Sequence, residues 1–147
     1  MPYQVIVVGT DGSPRAGVAV AQAFALAKMS GAKLHAVQAV APHVAGGFAD
    51  STAGQVGIVD ARQQLERSTQ ELIERAKSEG LALEVHNPGS EDPADALLNA
   101  AEAVGADLIV VGNKGMSGVK RFVLGSVPNK VAHHAPCSVL IVDTDRA

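Results

Sequence analysis

Two stretches of the chain bring together residue types suited to binding a phosphorylated ligand. The longer is Gly112-Asn113-Lys114-Gly115-Met116-Ser117-Gly118, followed by Gly125-Ser126. Glycines let the backbone come close to a phosphate, and exposed N–H groups at a helix start attract anions. Ser126 adds a hydroxyl donor where a last helix would open. The spacing Gly-x2-Gly-x9-Gly-Ser is long and specific, beyond what turn glycines and an ordinary serine cap require. The second stretch is Gly9-Thr10-Asp11-Gly12-Ser13, directly after an apolar run. A carboxylate just ahead of a helix N-terminus can accept hydrogen bonds from a ribose or help to hold a metal. Asp11 and Ser13 are each also adequate as plain helix caps, and local reasoning alone favours that role.

The familiar nucleotide fingerprints are missing. No Gly-x-Gly-x-x-Gly follows the first apolar run and no Gly-x4-Gly-Lys-[Ser/Thr] occurs, so neither a dinucleotide dehydrogenase nor a P-loop NTPase fits. An ATPase needs a metal-holding group, a residue to place the attacking water and something to stabilise the transferred charge. Asp11 could serve the metal, and Lys114, Lys120 or Arg121 the charge, but no water-positioning base stands out. The five histidines are scattered without metal-ligand spacing: His35 and His86 in strand candidates, His43 at the head of a glycine-rich segment, His133 and His134 near the end of the last helix. Polar or positive side chains are favourable at that helix end, which accounts for the last two. The single cysteine, Cys137, reads as a small core residue. No Ser/His/Asp or Cys/His set emerges, so the expectation is a binder without efficient turnover, with no catalytic residue and no assigned metal ligand.

The elements that would position these stretches follow from hydrophobic periodicity. Strand candidates lie at 3–8, 33–40, 82–86, 107–111 and 138–142. The runs VIVV and LIVV are continuously apolar, as strands covered on both faces are. Between them lie helical patterns. Ser13 before Pro14 starts the first, with Ala16, Val20, Ala23, Phe24 and Ala27 on one face and Gly31 after its end. The second runs from about Ala61 to Glu79, with Leu65, Leu72, Ile73 and Ala76 on one side and Gly80 closing it. The third opens at Asp92-Pro93, buries Leu97, Leu98, Ala101 and Val104, and stops at Gly105; a short fourth spans Val127 to His134. This alternation implies an α/β fold with a parallel sheet and right-handed crossovers, in one domain over 1–147. Residues 42–59, PHVAGGFADSTAGQVGIV, break the rhythm and are expected to form a long loop, either a binding loop or a plain connection.

Composition excludes several classes of partner. With 47% hydrophobic and 18% charged residues the 147-residue chain is globular, and its net charge of −3 without a basic run argues against nucleic acid and an anionic membrane. Trp is absent and only three Phe and one Tyr are present, leaving few platforms for stacking bases. No apolar stretch approaches the ~20 residues that span a bilayer. The start MPYQVIVVG reads as a strand and not a signal peptide, and a lone cysteine fits a cytoplasmic setting.

VIVVGTDGS at the start and ADLIVVGNKGMSGVKRFVLGSVPNKVAHHAPCSVLIV near the end resemble the opening loop and the long C-terminal signature of the universal stress protein family, and the resemblance covers essentially the whole chain. It implies a Rossmann-like, open five-stranded parallel sheet in the order 3-2-1-4-5 with helices on both faces, and a homodimer. It also implies a ligand: ATP or another adenine nucleotide (AMP, ADP or cyclic AMP), with Mg accompanying ATP. By position, Gly9, Thr10 and Asp11 and the backbone of Ala39 or Val40 would hold adenine and ribose, while Gly112, Gly115, Gly125, Ser126 and the Val127 backbone would face phosphates. Two departures stand out. Glu91-Asp92-Pro93 replaces the Gly-x-Pro of many relatives, placing an extra carboxylate near the expected phosphates, and Ser138 stands where many have Pro. The reading is a stress-response regulatory dimer, paired through the C-terminal edge strand, with an unknown downstream protein partner. A slow metal-dependent ATPase and an interaction module with a vestigial pocket are the alternatives.

Overall fold

The computed structural model describes residues 3–39, 51–89, 91–114 and 123–145. Five strands, β1 (Val5–Thr10), β2 (Lys33–Gln38), β3 (Leu83–His86), β4 (Leu108–Gly112) and β5 (Ser138–Val142), alternate with four helices. The helices are α1 (Pro14–Ser30), α2 (Ser51–Glu79), α3 (Pro93–Val104) and α4 (Ser126–His134). All strand pairs are parallel and the sheet order is β3-β2-β1-β4-β5.

Side chains alternate across the pleat, so each strand feeds two cores. Ile6, Val8, Leu34, Ala36, Leu108 and Val110 pack with Val20, Phe24 and Ala27 of α1 and Ala76 of α2. Val7, Val37, Ile109 and Val111 pack on the opposite face with Leu97 and Ala101 of α3 and Val131 of α4. That double cover explains the uninterrupted apolar runs of β1 and β4.

Caps set the helix limits. Ser13 Oγ accepts from the Ala16 amide at 3.2 Å, Pro14 follows, and Gly31 closes α1 in the left-handed region at φ 71°. Asp92 caps α3, accepting from the Asp95 amide at 3.1 Å, and Gly105 ends it at φ 65°. One expectation fails: α2 begins at Ser51, so residues 51–59 of the expected loop are helical. Two glycines in that stretch cost about 1 kcal/mol each against Ala, but extending an existing helix gains a hydrogen bond per residue without a new nucleation cost. The remainder of that segment, through Asp50, lies outside the described residues.

The strands bring two of the scattered histidines together. His35 pairs in register with Glu84 and Val37 with His86, which places His35, Glu84 and His86 on one face of the β2–β3 pair. The two histidines are 51 residues apart in sequence and their ring nitrogens are 2.9 Å apart in space. Ligand spacing along the chain carries no trace of a pairing that strand register creates.

Candidate functional site

The chain runs from β1 outward to β2 and β3, then returns to β4 and β5 on the other side. The neighbours β1 and β4 thus send their connections in opposite directions, which opens a crevice beyond their carboxyl ends, the usual ligand position in such sheets. Gly9, Thr10 and Asp11 leave one side of it, Gly112, Asn113 and Lys114 the other.

The β1 loop is held by its own side chains. Thr10 Oγ1 accepts from the Gly12 amide at 3.1 Å, and Asp11 Oδ1 accepts from the Ser13 amide at 2.9 Å. Asp11 is half-buried, so its carboxylate is both a brace for the α1 start and a polar group at the crevice. The Ala39 amide donates to the Thr10 carbonyl at 3.0 Å, which leaves Ala39 only its carbonyl to offer a base. Gly9 has a packing reason as well: a Cβ there would come 2.8 Å from Leu97 Cδ1. Val40 lies outside the described residues.

On the β4 side, the Gly125 amide donates to the Asn113 carbonyl at 2.9 Å, so the two ends of the glycine-rich stretch are clasped together. A Cβ on Gly125 would meet that same carbonyl at 3.3 Å. Gly125 is the N-cap of α4 and makes no side-chain cap bond. Ser126 and Val127 occupy the first two helical positions, whose amides have no intrahelical acceptor, and Pro128 has no amide hydrogen. Two backbone donors and the exposed Ser126 hydroxyl therefore open the helix, at its positive dipole end. Gly115, Lys120 and Arg121 lie outside the described residues.

Lys114 is engaged within the protein. It is buried and ion-paired with Asp145, whose other oxygen is 3.9 Å from Arg15. Beside it, Asn113 Oδ1 accepts from the Thr144 amide at 3.1 Å and from its hydroxyl at 2.9 Å. The chain after β5 is thus folded back under the loop, and Gly112 makes room for it, since a Cβ there would sit 2.8 Å from Thr144 Cγ2. The extra carboxylates near α3 are also engaged. Glu91 accepts from Asn99 at 2.6 Å, and Lys130 of α4 reaches Asp95 at 2.8 Å and Asp92 at 3.4 Å. The hydrogen bond that Lys130 donates to Asp95 chiefly holds its ammonium above the usual pKa, with Asp92 adding to it.

Two polar clusters at this edge had no sequence signature. Buried Gln38, ending β2, donates to Thr69 Oγ1 of α2 and, at 3.1 Å, to Asn87 Oδ1 after β3. A glutamine directly after the apolar Ala36-Val37 pair was the available clue. The Asn113–Thr144 and Lys114–Asp145 contacts join residues 31 apart, and nothing local announces them. Cys137 packs beside the second core, where burial, and next the Asp107 charge, push its thiol pKa up.

Comparison with known proteins gives a consistent result. The model of the universal stress protein family matches residues 2–143. A universal stress protein of Mycobacterium tuberculosis is 37% identical over 143 residues, with 97% of each chain covered. A crystal structure of a universal stress protein in complex with cAMP is 36% identical, with a TM-score of 0.72, covering 98% of this chain and 99% of that one. The universal stress protein of Archaeoglobus fulgidus in complex with dAMP is 26% identical, with a TM-score of 0.63, covering 97% and 100%. Among the described residues no helix is long and apolar enough to cross a membrane.

Proposed function

This chain belongs to the universal stress protein family, and from that premise we propose that it is a regulatory dimer that binds an adenine nucleotide without efficient turnover. The observation that carries the reading is the crevice at the β1/β4 switch point. Asp11 stands on one wall, and on the other the clasped glycine loop delivers two α4 amides and the Ser126 hydroxyl. A carboxylate for ribose hydroxyls opposite anion-binding donors matches the two ends of a nucleotide. Relatives with cAMP and dAMP bound support adenine as the base. The Lys114–Asp145 pair supports binding over turnover, because it turns aside a cation that would otherwise neutralise transferred charge.

In this reading the ligand alters the surface around the crevice, and the downstream partner reads that change in a stress response. The dimer forms through β5, a sheet edge whose Ile141 is 36% exposed.

The test is mass spectrometry of small molecules released on denaturation, followed by calorimetry with ATP, AMP and cAMP. Asp11→Ala should weaken binding about tenfold to a hundredfold, the effect of losing a charged hydrogen bond. Ser126→Ala, which removes a neutral donor, should cost about two- to tenfold. Unchanged affinity in both variants would remove the site assignment, and wild-type protein indifferent to all three nucleotides would remove the function.

A further inference from the structure

The face of the β2–β3 pair turned toward α3 carries three potential metal ligands that the nucleotide crevice does not use. His35 Nδ1 and His86 Nε2 point at each other across 2.9 Å, and Glu84 Oε2 is 3.7 Å from His35 Nδ1. One ligand atom from each residue lies within 4.8 Å of the others. We propose that His35, Glu84 and His86 form a binding site for a borderline transition-metal dication of the Zn2+ type, separate from the nucleotide site and independent of it.

Geometry and donor chemistry support this. Two imidazoles in hydrogen-bond contact have one proton between their facing nitrogens; replacing it with a metal lets both lone pairs coordinate. Tetrahedral Zn–N bonds of about 2.0–2.1 Å put two ligand nitrogens about 3.3 Å apart, so the rings need only a small separation. Two neutral nitrogens and one carboxylate suit Zn2+ or Co2+, not Mg2+ or Ca2+, which take oxygen ligands. His35 is 4% exposed and held from several sides, so one ligand is pre-positioned. A groove of about 360 Å³, lined in part by Val37, His86, Asn87, Glu91, Asn99 and Ala100, opens beside His86 and supplies an entry path and a place for a water as fourth ligand.

One contact opposes the metal. Lys33 Nζ lies 3.5 Å from Glu84 Oε2 and must withdraw as the dication enters. Its side chain is 51% exposed and can turn into solvent at little cost.

The test uses the full chain, freed of tags and stripped with chelator, titrated with Zn2+ against a competing dye and with Co2+ by visible spectroscopy. The expected result is one equivalent of Zn2+ per chain and Co2+ absorption of tetrahedral intensity. His86→Ala should abolish both. The exposed Glu84→Gln, which leaves the core untouched, should weaken Zn2+ at least as much as loss of an outer-shell partner does, about 10–100-fold. The double variant His133→Gln/His134→Gln should bind as wild type does. Absence of stoichiometric Zn2+, or wild-type Zn2+ affinity retained in both Glu84→Gln and His86→Ala, would overturn the site. Nucleotide calorimetry on Glu84→Gln separates the two readings, since neither outcome for the metal alters the expected nucleotide affinity.

Discussion

At the scale of single residues, the glycines of the crevice answer to protein contacts. Gly9 is the sharpest case. An alanine Cβ at that position would press to 2.8 Å from Leu97 Cδ1 and 3.0 Å from Cδ2, and Leu97 is itself buried in the second core. Leu97 is 2% exposed, so its branched end can yield only by shifting within a filled core. Gly9→Ala should therefore destabilise by about 1–3 kcal/mol, the range for overpacking a filled core, while shifting nucleotide affinity much less than Asp11→Ala. Urea unfolding beside calorimetry reads both quantities; a large affinity loss with unchanged stability would make Gly9 a ligand residue first. Asp11, Gly125 and Ser126 were legible in the sequence because each sits in a local pattern of strand end, glycine and helix start. The reason for Gly9 was not, because Leu97 belongs to another element. The ion pair of Lys114 was hidden for the same reason: its partner Asp145 enters from beyond β5.

At the scale of elements, what was legible is what the chain encodes within a few residues. Ser13-Pro14, Asp92-Pro93, Gly31 and Gly105 mark helix ends by capping and by left-handed backbone, and the limits of α1 and α3 follow them. The start of α2 has no such sign, since its first residues read as a glycine-bearing loop without a period and cooperativity carries the helix through them. Strand register is equally silent, and it is register that sets His35 beside His86. That pairing has a thermodynamic consequence. Burial holds the His35 pKa below its usual value; the neighbouring His86 and then Lys33 lower it further, and Glu84 opposes them. The unfolded chain, with His near pKa 6.5, binds a proton there that the folded chain refuses. Stability therefore rises with pH through this window. It is fully present above about pH 6.5 and is lost progressively as the pH falls toward the depressed folded value. Melting curves from about pH 8 to about pH 5 in metal-free protein should show that fall. His35→Gln should flatten it, and an unchanged slope in the variant would assign the effect to other groups.

At the scale of the whole molecule, the sheet has two edges that are managed differently. The β3 edge is a strand of four residues, with the half-exposed Lys33–Glu84 ion pair on the β2–β3 pair. Short strands and charges discourage edge pairing. The β5 edge carries Val139, Leu140, Ile141 and Val142, all part-exposed, on a strand fully paired with β4 on its inner side. An apolar strand with one side open is a template for a second copy, and two-fold pairing of identical strands closes the assembly at two chains. The proposed dimer would link to stability, because association holds the folded state by mass action and makes the melting temperature rise with protein concentration. Wild-type protein should run as a dimer in light scattering and melt higher when concentrated. Ile141→Lys places a charge on the exposed side of the edge while leaving the two cores intact, so it should yield a folded monomer whose melting temperature no longer depends on concentration. Saturating nucleotide, at about 100 times its Kd, should still add about 2.7 kcal/mol to that monomer if the crevice is complete within one chain. An Ile141→Lys protein that remains dimeric moves the interface away from β5; a monomer that has lost nucleotide stabilisation makes the partner chain a part of the site.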